Sequence, residues 1–128
     1  MNFDKNFFGE QKFTDAELVK YRKSAKRDLD IALSSHEPEV VFHFAYMALI
    51  KIGIYHLAKE GYRVKSRVGH HQKIIESLSR ILDSEDIGII GDKMRKDRNL
   101  DLYSGDALHS LEEIKEYLRF IEALCVKL

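Results

Sequence analysis

The 128-residue chain carries 21 basic and 21 acidic side chains, so its formal charge is zero. That balance excludes a general nucleic-acid coat and leaves room for a local basic site. A single cysteine, Cys125, excludes an internal disulfide and suits a reducing cytosol; no apolar run approaches the roughly 18 residues of a membrane span, and the N-terminus lacks a signal-peptide pattern.

The expectation is therefore a cytoplasmic protein with no membrane partner. Its length suits one domain, residues 1–128, able to bury about two thirds of the surface its unfolded chain exposes. No metal or disulfide is needed to hold a core of that size. The first 13 residues contain Phe3, Phe7 and Phe8, which fold back either onto the domain or onto a second subunit.

One proline and seven glycines in a chain rich in Leu, Ile, Ala, Glu and Lys point to helices. At about 100° per residue, Leu18, Tyr21, Ala25, Leu29 and Ala32 share one stripe, and "TDAE" from Thr14 is a capping box that starts this first helix. "SSHEPE" breaks the chain, with Pro38 suited to the first turn of the next helix. From Val40 to Lys59 apolar residues occur on nearly every side, the mark of a buried central helix. "KEGYRVKS" reads as a loop, Gly61 ending one helix and Ser66 capping the next. A third helix carries His71, Ile74, Ile75, Leu78 and Leu82 on one face; Asp83 or Ser84 opens a fourth, which "SGD" at 104–106 closes. The last helix groups Leu111, Ile114, Leu118, Ile121 and Cys125. The spacing predicts an all-α, up-and-down bundle of four to five antiparallel helices, with no strand.

The stretch "KMRKDRNLDLYSG", residues 93–105, places four basic side chains within six positions. On a helix, Ile87, Ile90, Met94, Arg98 and Asp101 fall in one sector, so Arg98 sits where a leucine is expected. Arg95, Asn99 and Tyr103 form a flanking stripe at i, i+4, i+8. A guanidinium on a core face keeps its charge, so it must be paired or must line a cleft. Asp101 at i+3 can be the pair. Such buried pairs add little net stability, which makes a functional reason worth testing.

Elsewhere, "GYRVKS" fails as a phosphate-binding P-loop, because Val64 replaces the required glycine and a helix precedes it. Arg63, Lys65 and Arg67, with His70 and His71, form a second basic cluster: either a solvated loop, or an extension of a phosphate-binding surface if the bundle brings it near the fourth helix. Adjacent His70 and His71 diverge on a helix, and no metal-ligand spacing occurs, so no metal or cofactor is expected. His71 reads as a core hydrogen-bonding residue. Tyr46 and Tyr55 read as core aromatics placed to hydrogen-bond Arg98.

"RKDRNLDLY", with "YHLAKEGYRVKSRVGHH" two helices earlier, resembles the HEPN domain (higher eukaryotes and prokaryotes nucleotide-binding) over most of the chain. The resemblance implies a four- or five-helix bundle, commonly a homodimer and often encoded beside a minimal nucleotidyltransferase as a toxin–antitoxin pair. Active members of the family are metal-independent RNases whose motif is an arginine, a polar residue, a few spacers and a histidine. Arg98 and Asn99 match the first two motif positions. Where the histidine should fall stand Tyr103, Ser104 and Gly105, and His109 lies beyond the break.

A tyrosine titrates near 10 and is a poor base at neutral pH, whereas Arg98 can still hold a phosphate bidentately. The resemblance thus implies an RNA- or nucleotide-binding protein whose site comprises Arg98 and Asn99, with Arg95, Asp101 and Tyr103 beside them. A working RNase with Arg98 and Tyr103 as catalytic residues is the alternative. So is a structural or partner-binding bundle in which Arg98–Asp101 fixes helix register. In some members a tyrosine near the motif is nucleotidylated by the partner enzyme, which makes Tyr103 a candidate acceptor.

Overall fold

A computed structural model describes residues 2–104 and 110–128, with the side chains of residues 101–104 outside that description. The order is β1 (Phe8–Glu10), α1 (Asp15–Ser34), α2 (Pro38–Lys59), β2 (Tyr62–Val64), α3 (His70–Ile81), α4 (Glu85–Ser104) and α5 (Leu111–Cys125). The fold is an all-α bundle with a two-stranded accessory sheet.

Local signals fix most helix starts. Thr14 Oγ1 accepts from the Glu17 N–H at 3.2 Å, and the Glu17 carboxylate accepts from the Thr14 N–H at 3.1 Å, closing the capping box of α1. Pro38 opens α2, where its missing N–H has no intrahelical partner to lose. Helix α3 departs from expectation. It is capped by Gly69, not Ser66, because the preceding residues are taken up by β2 and a turn.

Helix α2 is the axis of the bundle, packing on α1, α3, α4, α5 and β2. Its Tyr46, Ala48, Leu49, Ile52 and Leu57 have no measurable exposure. Among the described residues it alone is long and apolar enough to cross a membrane, which the count of uninterrupted apolar residues did not register. Yet 67% of that span is buried inside the bundle, so its apolarity serves the core. One ion pair crosses α1 and α2: Lys51 Nζ lies 2.7 Å from the buried Asp28 carboxylate.

Two glycines set how closely the helices around α3 approach. A Cβ on Gly53 of α2 would lie 2.4 Å from Ile74 Cγ2, and one on Gly91 of α4 would lie 2.7 Å from Ile75 Cγ2. Helix α3 is thus wedged against both neighbours where only a hydrogen fits. This brings its first turn within reach of α4.

The N-terminal segment corrects the strand-free expectation. Phe8 pairs with Val64 and Glu10 with Tyr62 in an antiparallel ladder. Phe3 and Phe8 are buried, Phe3 packs edge-on to Tyr62 at 4.8 Å, and Arg80 caps Phe3 from 5.2 Å while donating to the Asn2 carbonyl. The aromatic segment therefore folds onto its own bundle.

Candidate functional site

The charges of α4 divide between two sides of the helix. On one side Tyr117 of α5 donates to Asp97 at 2.6 Å and accepts from Lys93 at 2.7 Å, tying α4 to α5. Burial and the Asp97 carboxylate push the Tyr117 phenol up to about 12, so it remains a donor. Asp92 collects two further cations. It accepts from Arg95 Nε and Nη2 at 3.0 and 2.9 Å and pairs with Lys96 at 3.1 Å. An open groove of about 890 Å³ runs along this outer stripe, between Glu85 and Leu100.

On the other side Arg98 is half-buried, with its guanidinium 5.5 Å from the centre of the Tyr46 ring. Among the described residues no carboxylate pairs with it. A cation over an aromatic face is held by the ring quadrupole, which satisfies charge weakly and leaves the N–H donors free for a ligand. Tyr46 is fully buried, and its hydroxyl meets His71 Nδ1 at 2.9 Å. Burial pushes the Tyr46 phenol up to about 12, against the pull of Arg98 and Arg95. Tyr46 thus keeps its proton at neutral pH and can donate it to Nδ1.

His71 is pushed down to about 4, first by burial, then by its neighbours His70, Arg98 and Arg95. At pH 7 it is neutral. With Nδ1 accepting from Tyr46, its ring proton sits on Nε2, which has no partner among the described residues. His70 stacks edge-on to His71 at 4.4 Å, its own Nδ1 turned to the Arg67 carbonyl. The first turn of α3, whose N–H groups carry partial positive charge, completes the cluster.

Arg98 over the Tyr46 ring and His71 on the Tyr46 hydroxyl therefore form one cluster, within the field of Arg95, with Asn99 half-buried next to Arg98 on α4. The expected hydrogen bonds from Tyr46 and Tyr55 to Arg98 are not made. Tyr46 offers its ring face instead, and Tyr55 lies about 13 Å further along α2 by helical rise, against His56 and Lys59. The side chains of Asp101 and Tyr103, and His109 altogether, lie outside the described residues. The Arg98–Asp101 bridge and the roles given to Tyr103 lie there with them.

The second basic cluster is mostly spent elsewhere. Lys65 donates to the Lys5 carbonyl at 2.8 Å, Arg67 to the Asn6 carbonyl at 2.9 Å while lying over Phe7, and Arg63 is an exposed residue of β2 beside Gly9. These three bind the N-terminal segment. Only the Arg67 carbonyl reaches the site, through His70. Sequence reasoning placed Tyr46 beside Arg98 through a hydrogen bond and His71 in the second basic cluster, but read both as core and did not join them to each other, because each falls on an apolar stripe. The signal that joins them is a cation on the facing helix.

Among the described residues no three His, Cys, Asp or Glu side chains converge as metal ligands. No protein-family model, curated protein or solved structure matches the chain.

Proposed function

We propose that the protein binds the phosphate groups of RNA or a nucleotide at Arg98, as a HEPN-like member of a two-gene module with a minimal nucleotidyltransferase in the cytosol. The observation that carries this reading is the half-buried Arg98. It has no carboxylate partner among the described residues and lies over the buried Tyr46 ring beside His71 and the start of α3. Arg95 adds field, although Asp92 neutralises part of it. An anion entering here would meet a planar donor fork, a neutral imidazole N–H and a helix N-terminus.

Binding fits the chemistry better than catalysis does. A proton-transfer group works best with a pKa near the working pH. His71, held near 4, is a weak base, and the Tyr46 and Tyr117 phenols are displaced upward to about 12. Arg98→Ala should weaken affinity for a single-stranded RNA or a nucleoside triphosphate at least tenfold, as expected for a lost charge-assisted bidentate contact of about 1.5–3 kcal/mol. Arg98→Lys should restore part of it, because lysine lacks the planar fork. Equal binding by wild type and the alanine variant refutes the assignment.

The same reading includes a homodimer, supported by the outward-facing Ile89 and Leu100 along the groove of α4, interleaved with Asp92, Lys93, Lys96 and Asp97. Light scattering at micromolar concentration should give twice the 14.9 kDa chain mass. A monomer mass would remove this part.

A further inference from the structure

The phosphate reading leaves the titration of His71 unused. Among the described residues, the groups whose charge acts on His71 or that bond to it are positive or neutral. These are His70 on α3 itself, Arg95 and Arg98 on α4, and Tyr46 on α2; Asp92, the described acid that acts on Tyr46, is already shared by Arg95 and Lys96. Its Nδ1 is engaged with Tyr46, and its Nε2 is without a partner among the described residues. The imidazole is fixed in orientation by a buried hydroxyl, with one nitrogen left over. It is neutral only because burial and like charge oppose a proton.

We propose that His71 is a specificity-determining residue of this site that takes up a proton from solvent when a phosphate group is held at Arg95 and Arg98. Its imidazolium Nε2–H then becomes a further cationic contact to that phosphate. The inference rests on the phosphate-binding reading and adds to it a coupling between ligand charge and proton uptake.

The coupling follows from the arrangement. A phosphodiester at the two guanidiniums cancels part of the positive field that holds His71 neutral and adds an anion of its own. An opposite charge within about 4–6 Å raises a histidine by roughly one to three pKa units. Starting from about 4, the bound-state value moves into the range between pH 5 and 7. The free protein stays neutral at His71 there while the complex is protonated, so affinity rises by up to about tenfold per pH unit as pH falls. Tyr46 accommodates the change without moving: it donates to Nδ1 of the neutral ring and accepts from Nδ1–H of the imidazolium. The device favours ligands that place negative charge deep at Arg98 over those that touch the surface only, since only the former charge the ring.

The test uses a fluorescein-labelled single-stranded RNA decamer, whose phosphodiesters do not titrate between pH 5 and 7.5, with anisotropy read at fixed ionic strength. Wild type should tighten from pH 7 to pH 5.5 by about fourfold for a bound-state value of 6, and by about fifteenfold for a value of 7. The His71→Asn variant, whose amide oxygen can still accept from Tyr46, should bind with little pH dependence, and His70→Asn should keep the wild-type slope. Histidine ¹H–¹⁵N spectra should show His71 titrating higher in the RNA complex than free. Binding that depends on Arg98 but not on pH overturns the proton coupling and leaves the phosphate reading standing. A slope that survives in His71→Asn, or vanishes in His70→Asn, also overturns it. Absence of binding by wild type at every pH overturns both.

Discussion

His56 is the sharpest test of the energetics of this bundle. It lies on α2 with 5% of its surface exposed, its ring edge-on to Tyr55 at 5.2 Å, and its Nε2 buried with no hydrogen-bond partner among the described residues. Burial first, then the Lys59 and Lys127 ammonium groups, push its pKa down to about 4 from 6.5. The unfolded chain therefore binds a proton at this position at a higher pH than the folded one does. Stability contributed by the neutral ring is fully present above 6.5 and is lost as pH falls from there toward 4. The full loss is about 3 kcal/mol at 1.36 kcal/mol per unit, and about 2 kcal/mol is already gone at pH 5. His56→Leu removes both the titration and the unsatisfied nitrogen, whose burial costs about 1–3 kcal/mol. It forfeits an aromatic contact worth about 0.5–1.5 kcal/mol. At pH 7 the variant should be as stable as wild type or up to about 2 kcal/mol more stable, and at pH 5 its advantage should grow by about 2 kcal/mol more. Urea denaturation at both pH values, at one protein concentration so that association cancels, measures this difference. An advantage that is the same at pH 5 and pH 7 would refute the claim that His56 is held neutral.

Three further outcomes follow from particular contacts. Arg98→Met keeps an apolar stem over Tyr46 and removes the charge, so its thermal stability should stay within about 1–2 kcal/mol of wild type, the worth of a partly desolvated cation–π contact; a loss beyond about 3 kcal/mol, typical of a broken buried ion pair, would mark Arg98 as a structural strut. Gly53→Ala forces a methyl to within 2.4 Å of Ile74 and should cost about 1–3 kcal/mol of overpacking; pairing it with Ile74→Ala should be clearly less than additive in denaturant melts. Lys51→Met strands the Asp28 carboxylate, which is 4% exposed, and should cost about 3–5 kcal/mol, most of it recovered when Asp28→Leu is added; a cost below 1 kcal/mol would mean that water already solvates the carboxylate.

The parts of the fold that the sequence declares are those set by neighbours in the chain. The Thr14–Glu17 capping box, the proline at the head of α2 and the apolar stripes of α3 and α5 each depend on residues within about two turns of one another, and periodicity reads that range directly. The strands escaped for the complementary reason. Each is three residues long, too short for alternation to register, and each exists only because the other lies beside it. Residues 8–10 find 62–64 across the whole α1–α2 hairpin. Once they do, the carbonyls of Lys5 and Asn6 lie where Lys65 and Arg67 can donate to them. The basic loop, read as either solvated or an extension of a phosphate surface, thereby also holds the N-terminus.

The site follows the same division. Helical projection put Arg98 on the inward face, where the structure has it, but the only partners it can offer are on the same helix, and so it nominated Asp101. The ring that holds Arg98 comes from α2, and the histidine beside it comes from the first turn of α3, brought there by the glycine contact at Gly91. A core arginine with an aromatic rather than an acidic partner remains positive toward whatever reaches it. An Arg–carboxylate pair would have closed the site to anions by neutralising it; the contact that Arg98 makes among the described residues, over the Tyr46 ring, holds the guanidinium in place without neutralising it. That difference is invisible along α4 alone, and under the coupling proposed above a ligand held at Arg98 would be linked to the protonation of His71.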